Sequence, residues 1–178
     1  MLTAYINAAM RSAHYELLED GEGYAGKIPK LQGVWANANT LEASRCREHV
    51  WAAWSVAEKK KAWFGDGLLE SDFRVGGTER HEFANNMGTH TNETRYFEIK
   101  DQERIVFAYS MAMNGTVHTV SLTTVVLADE NGGTRLTYTE QMCVIPPSDG
   151  AEGRTHGWNA LLNSLEAYLT EDTRANTA

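Results

Sequence analysis

The chain has 178 residues, 42% of them apolar, and a formal charge of −8. That is enough apolar material for one domain with a real core, which excludes global disorder. The acidic balance excludes a binder of the nucleic-acid backbone, which needs a basic face, and no apolar run has the length of a membrane span.

The opening LTAYINAAMRSA places Leu2, Tyr5, Ile6, Ala9 and Met10 on one face at helical spacing, so a short amphipathic helix is expected there. MLTAYINAAMRSAHYE has neither a basic start nor a long apolar stretch, so it does not read as a secretory signal. HYELLEDGEGYAGKIP reads as a hairpin around Glu19–Gly23, ended by Pro29. A third strand is expected from Val34 to Asn39. Thr40 then reads as the N-cap of a helix starting at Leu41, with Ala43, Cys46, Val50 and Trp54 on its apolar face beside Trp51. VAEKKKAWFG reads as a second short helix stopping at Gly65, with Lys59, Lys60 and Lys61 on its solvated face.

From Leu68 onward the residues favour strands. LLESDFRV, TERHEFA, TRYFEIK, ERIVFAYSMAM, HTVSLTTVVLADE and TRLTYTEQMCV are rich in β-branched and aromatic residues. Gly76-Gly77, Asn114-Gly115 and Asn131-Gly132-Gly133 supply turn chemistry, so an antiparallel meander is expected. The last element, EGRTHGWNALLNSLEAYLTE, carries Trp158, Leu161, Leu162, Leu165, Tyr168 and Leu169 on one broad apolar face and reads as a helix. A curved sheet and a long helix each have one face to bury. Packing the helix across the concave face buries both and leaves a gap suited to a ligand.

Several segments carry a resemblance: HVWAAWSVAEKKKAWFG, DFRVGGTER, RYFEIKDQERIVFAYSMAM, GGTRLTYTEQ and THGWNALLNSLEAYL. In this order, from about Arg47 to Leu169, they resemble the START-like superfamily, also called SRPBCC. The nearer likeness is to its bacterial branch named after the activator of a heat-shock chaperone ATPase. The resemblance implies an α+β helix-grip fold, a curved antiparallel sheet wrapped around a long C-terminal helix. Residues 1–46, with the hairpin and GVWANANTLEA, resemble the N-terminal part of HicB-like antitoxins. The expected organisation is an appended helix and hairpin at 1–33, the helix-grip domain at 34–172 and a frayed tail at 173–178. The strand Val34–Asn39 would fill the first-strand position of the helix-grip sheet; the alternative is a loosely attached extra layer at the N-terminus.

No Gly-x-Ser-x-Gly, phosphate-cradling loop or His-Glu-x-x-His occurs. Cys46 and Cys143 lie far apart in no metal-type spacing and read as reduced thiols of a cytoplasmic protein. His81, His90 and His118 could meet on the sheet, but their spacing favours surface or turn positions, and no metal or cofactor is expected. Asp72, Arg74 and Arg80 in DFRVGGTER read as a structural ion-pair cluster beside a turn rather than an anion site. Period-two alternation puts Leu136, Tyr138 and Glu140 on one face. Glu140 would then face the last helix and could pair with His156 at its start, as an anchor or as an acid–base couple.

Alternation also groups Tyr109 with Met111 and Met113, Ser121 with Thr123 and Val125, and Tyr96 with Glu98, the last pair on a face that could equally be the solvent side. The ligand-binding candidates are therefore Tyr96, Tyr109, Met111, Ser121, Thr123, Tyr138, Glu140, His156, Trp158 and Leu162. Their mixture of hydroxyls, rings and thioethers suits an apolar ligand with one polar end. The resemblance implies a non-catalytic binder of a small hydrophobic molecule. One alternative is a polyketide cyclase or dehydratase using Glu140, His156 and Tyr109. The other is a protein-interaction module, a chaperone co-factor or a toxin–antitoxin relative. A homo-oligomer or a protein partner has no support in the residues.

Overall fold

The computed structural model describes residues 14–17, 24–27, 34–43, 46–146 and 151–175. The helix expected around residues 2–10 lies outside the described residues, as does the Glu19–Gly23 turn. Among the described residues, nine strands form one antiparallel sheet: β1 His14–Leu17, β2 Tyr24–Lys27, β3 Val34–Ala43, β4 Leu68–Ser71, β5 Thr78–Asn85, β6 Gly88–Lys100, β7 Arg104–Met113, β8 Thr116–Glu130 and β9 Gly133–Val144. The described residues also form three helices: α1 Arg47–Ser55, α2 Ala57–Phe64 and α3 Ala151–Ala175.

The strand order is β1-β2-β3-β9-β8-β7-β6-β5-β4. Thus β4 to β9 form a meander, and β3 pairs with its last strand. The two short helices carry the chain from β3 to the far edge of the sheet, where β4 begins. Helix α3 packs against α1, α2 and β3. This is the helix-grip fold, and β1 and β2 extend its sheet beyond β3.

The register of β3 corrects the expected helix start. All ten residues of β3 pair with β9, from Val34 opposite Cys143 to Ala43 opposite Thr134. Thr40 stands opposite Thr137 and caps no helix. A ladder along a long strand satisfies more backbone groups than one side-chain cap, so tertiary pairing overrides the local signal. Helix α1 starts at Arg47, after Cys46, and makes no side-chain cap hydrogen bond.

The hairpin turns follow the turn residues. Asn114 and Gly115 have φ of 49° and 79°, and Asn131 and Gly132 have 51° and 80°. Both pairs supply the two positive φ values of the turn whose twist matches antiparallel strands. Irregularities at Leu68/Glu70, Tyr96/Glu98 and Met111/Ala112 interrupt the pairing. Such bulges bend strands and help the sheet curve.

The core lies between the concave sheet face and the helices. Val50 and Trp54 of α1, Trp63 of α2, Ile105, Val125 and Leu136 of the sheet, and Trp158, Leu162, Leu165 and Leu169 of α3 are all buried in it. The apolar stripe expected for the last helix is the face that packs. Three residues of the expected tail, 173–175, continue that helix. Both cysteines are exposed thiols in no disulfide. Among the described residues, no helix is long and apolar enough to cross a membrane.

Candidate functional site

A cavity of about 540 Å³ opens between the N-terminal half of α3 and the β5–β8 side of the sheet. Its apolar wall includes Phe64, Phe83, Met87, Met111, Trp158 and Leu161. Tyr109, Thr119, Arg154 and four histidines, His81, His90, His118 and His156, supply polar groups.

Strand alternation and helix spacing build the polar floor together. Tyr109, Tyr138 and Glu140 point inward from β7 and β9, and all three are buried. Arg154 lies one helical turn before Trp158, so both side chains descend onto the same part of the sheet. Arg154 Nη1 donates to Glu140 Oε1 at 2.9 Å and to the Tyr109 hydroxyl, while Nη2 donates to Thr119 Oγ1. The Tyr109 oxygen also accepts from Trp158 Nε1 at 3.0 Å, and its own proton goes to Glu140 Oε1 at 2.7 Å. The Tyr138 hydroxyl donates to Glu140 Oε2 at 3.1 Å. A buried carboxylate survives when a cation and hydrogen bonds replace its water, and Glu140 has both. Burial, and then the Glu140 charge, push the Tyr109 hydroxyl's pKa well up. Tyr138 rises too, through burial and then through Tyr109 and Glu140. Burial opposes the charge of Arg154, but Tyr109, Glu140 and Tyr138 outweigh it, so its pKa lies above the ordinary value.

The expected Glu140–His156 pair is replaced by Glu140–Arg154. His156 is exposed and lines the cavity, but Glu140 bonds to Arg154, Tyr109 and Tyr138 behind it. Arginine suits a buried carboxylate better, because its fork serves several acceptors at once and stays charged.

Of the ten ligand candidates, Tyr109, Met111, His156 and Trp158 line the cavity. Tyr138, Glu140, Ser121 and Thr123 are buried on the concave face but do not line it, and Leu162 sits in the core while Leu161 takes the wall. Tyr96 belongs to a second buried network. Its hydroxyl donates to Glu79 Oε2 at 2.8 Å, and Lys60 Nζ reaches the two Glu79 oxygens at 2.7 and 2.8 Å. Lys60 is therefore buried, contrary to the solvated face expected for the lysine run, and sits beside the rings of Trp54 and Phe64. Tyr96 and Glu98 do not share a face. The bulge between them sends Phe97 out, and Glu98 pairs with Arg104 on the surface at 2.7 Å.

The histidines overturn another expectation. His81 and His90 are 8% and 5% exposed and His118 is half-buried, so none is a surface residue. The His90 ring stacks on Phe83 at 4.8 Å and meets His118 edge-on at 6.4 Å. Burial lowers the His81 pKa, while Glu79 raises it and Lys60 lowers it. Among the described residues, no group of three or more His, Cys, Asp or Glu side chains is arranged to hold a metal. The alternation Glu79, His81, Phe83 along β5 was the sequence signal for this wall, and the spacing of Arg154 from Trp158 was the signal for the floor. In DFRVGGTER, Asp72 and Arg74 form an exposed pair at 2.9 Å, and Arg80 turns to Glu82 instead.

Comparison with known proteins agrees with the fold. Residues 4–54 match the family described as UPF0150-like, consistent with the antitoxin-like N-terminus. No curated protein matches the chain. The crystal structure of protein Mll3558 from Rhizobium loti is 34% identical, with a TM-score of 0.69 over 76% of this chain and 98% of that one. A protein from Rhizobium leguminosarum, also 34% identical, has a TM-score of 0.66 over 78% of this chain and 98% of its own. DynU16, from the dynemicin biosynthetic locus, shares the fold at 19% identity, with a TM-score of 0.62 over 76% of this chain and 47% of that one. The match that covers the helices, the meander and α3 runs over residues 45–170, and by it the chain belongs to the family described as Activator of Hsp90 ATPase homolog 1-like protein.

Proposed function

We propose that the protein binds one small amphipathic molecule in the cavity between the sheet and α3, without transforming it. The observation that carries this reading is the cavity itself, about 540 Å³ in volume, with rings and thioethers on its walls and imidazoles among them. That combination fits an apolar body with one polar end. The superfamily to which the fold belongs often holds hydrophobic ligands in this place. In this reading residues 34–172 form the binding domain, residues 1–33 are an addition to its sheet edge, and the setting is the cytoplasm.

Binding is favoured over catalysis by the state of the inward carboxylate. The cyclase-like reading needs Glu140 and His156 to act together on a substrate. Glu140 is engaged by Arg154, Tyr109 and Tyr138 and does not line the cavity. A general base must reach the proton it removes.

Native mass spectrometry of freshly purified protein tests the proposal. The expected result is a bound mass that disappears on denaturation and is diminished by Trp158→Ala, which opens the cavity wall. The bare chain mass, together with no saturable binding of apolar probes, would count against it.

A further inference from the structure

Charge is distributed unevenly along this chain. Asp, Glu, Lys and Arg make up 22% of its residues, yet none of them occurs at 83–92, 105–128 or 141–146. The meander places the β5–β6 turn, the β7–β8 turn and the end of β9, all within these segments, at one end of the sheet. Asn114 at the β7–β8 turn donates its backbone N–H to the Thr89 carbonyl and accepts the Thr89 N–H on its side-chain oxygen. Ile145, just after β9, donates its backbone N–H to the His118 carbonyl. The opposite end carries ions: Arg47 pairs there with Asp129, Arg104 with Glu98, Arg135 with Glu130 and Lys100 with Glu103.

At the uncharged end, large apolar side chains reach water. Met87 is 59% exposed, Val117 42%, Ile145 41% and Phe83 40%. Met87 and Phe83 also line the cavity, as do the exposed residues Asn85, His156 and Gly157, so the cavity opens at this end. Among the described residues that line it, the charged ones are Asp66, which is exposed, and Arg154, which is buried against Glu140. Single exposed apolar residues are ordinary. Three chain segments that present them around one opening, without an ion among them, mark an interaction surface.

We infer that this end of the sheet docks on a lipid bilayer of no net charge, and that the cavity exchanges its ligand with the membrane there. The exchange rests on the binding function proposed above; the docking does not. An anionic surface is disfavoured, because the three segments bring no Lys or Arg and the chain carries a charge of −8. A neutral bilayer takes up apolar side chains by burial alone. Asn85, Asn86 and Asn114 at the turns bring amides to the headgroup layer without bringing charge. A rigid protein partner would leave the cavity mouth as a void beneath it, and voids forfeit packing. Fluid lipid fills it. An apolar ligand that passes directly from lipid to cavity also avoids exposure to water on the way.

The test is co-sedimentation of the full chain with vesicles of phosphatidylcholine, alone and mixed with phosphatidylglycerol. The protein should sediment with the neutral vesicles at low and high salt, and no better with the anionic ones. Val117→Asp combined with Ile145→Asp should weaken this by about tenfold or more, the value of one buried apolar side chain. Neither residue lines the cavity, so the double variant should still bind N-phenyl-1-naphthylamine, an uncharged fluorescent probe, in the absence of vesicles. Phe97→Asp, 54% exposed on β6 toward the ion-rich end, should leave sedimentation unchanged. Met87→Asp serves as the second variant where the double one does not fold. No sedimentation with neutral vesicles, while the probe still binds, would overturn the docking and leave the cavity as a binding site. Docking without saturable binding of the probe would uphold the docking and overturn the exchange. Sedimentation that requires phosphatidylglycerol and is reversed by salt, or an equal loss in Phe97→Asp, would overturn the assignment to this end. A dimer in solution that the double variant dissociates, with no vesicle binding, would give this end to a second copy instead.

Discussion

Arg154→Met isolates the energetics of the cavity floor. The Arg154 side chain is 7% exposed and that of Glu140 1%, so neither ion is screened by water to any useful degree. Methionine keeps most of the stem volume and removes the charge. Glu140 would retain the hydroxyls of Tyr109 at 2.7 Å and Tyr138 at 3.1 Å, but no cation. Removing one partner of a buried pair costs about 3–5 kcal/mol, because the other charge is left uncompensated. In the Glu140→Gln background the same change should cost less, since a neutral amide needs no countercharge. The coupling should be about 2–3 kcal/mol, at the upper end for residues in direct contact. Urea unfolding followed by far-UV circular dichroism measures all four corners of the cycle. A cost below about 1 kcal/mol is the signature of a solvated surface pair. It would refute the buried network.

Two further outcomes follow from the cavity wall. Burial lowers the His81 pKa below 6.5, so the unfolded chain takes up this proton at a higher pH than the folded one. Stability should therefore fall as pH drops below about 6.5 and level off once the folded form also titrates. His81→Phe should remove that part of the slope in chemical unfolding, and an unchanged slope would assign it elsewhere. Gly67→Ala would place a methyl carbon 2.0 Å from the Glu82 carbonyl oxygen and 2.7 Å from His81 Nε2. The nearer atom is backbone and cannot rotate away. Overpacking of this kind costs about 1–3 kcal/mol, visible as a lower thermal midpoint. An unaltered midpoint would mean that the β4–β5 edge yields freely.

Local signals determined much of this protein without any tertiary knowledge. The two Asn-Gly turns, the strand-forming runs between them and the apolar stripe from Trp158 to Leu169 depend on neighbours in sequence, through positive φ and the periods of strand and helix. Alternation alone also turned Tyr109, Tyr138 and Glu140 inward. Tertiary structure decided whatever depended on a distant partner. Thr40 looked like a cap until ten residues of β9 came to lie beside β3. Tyr96 and Glu98 parted because a bulge against β7 inserted Phe97 between the two faces. Lys60 went inside because Glu79, nineteen residues away on another element, was there to meet it. The partner of Glu140 was Arg154 and not His156, a difference of two residues on one helix. Period fixes which face a side chain takes, but the rotation and height of that helix over the sheet fix which atom it meets. Those two quantities are set by the packing of Trp54, Trp158 and Leu165 in a shared core, and they have no counterpart in any short stretch of sequence.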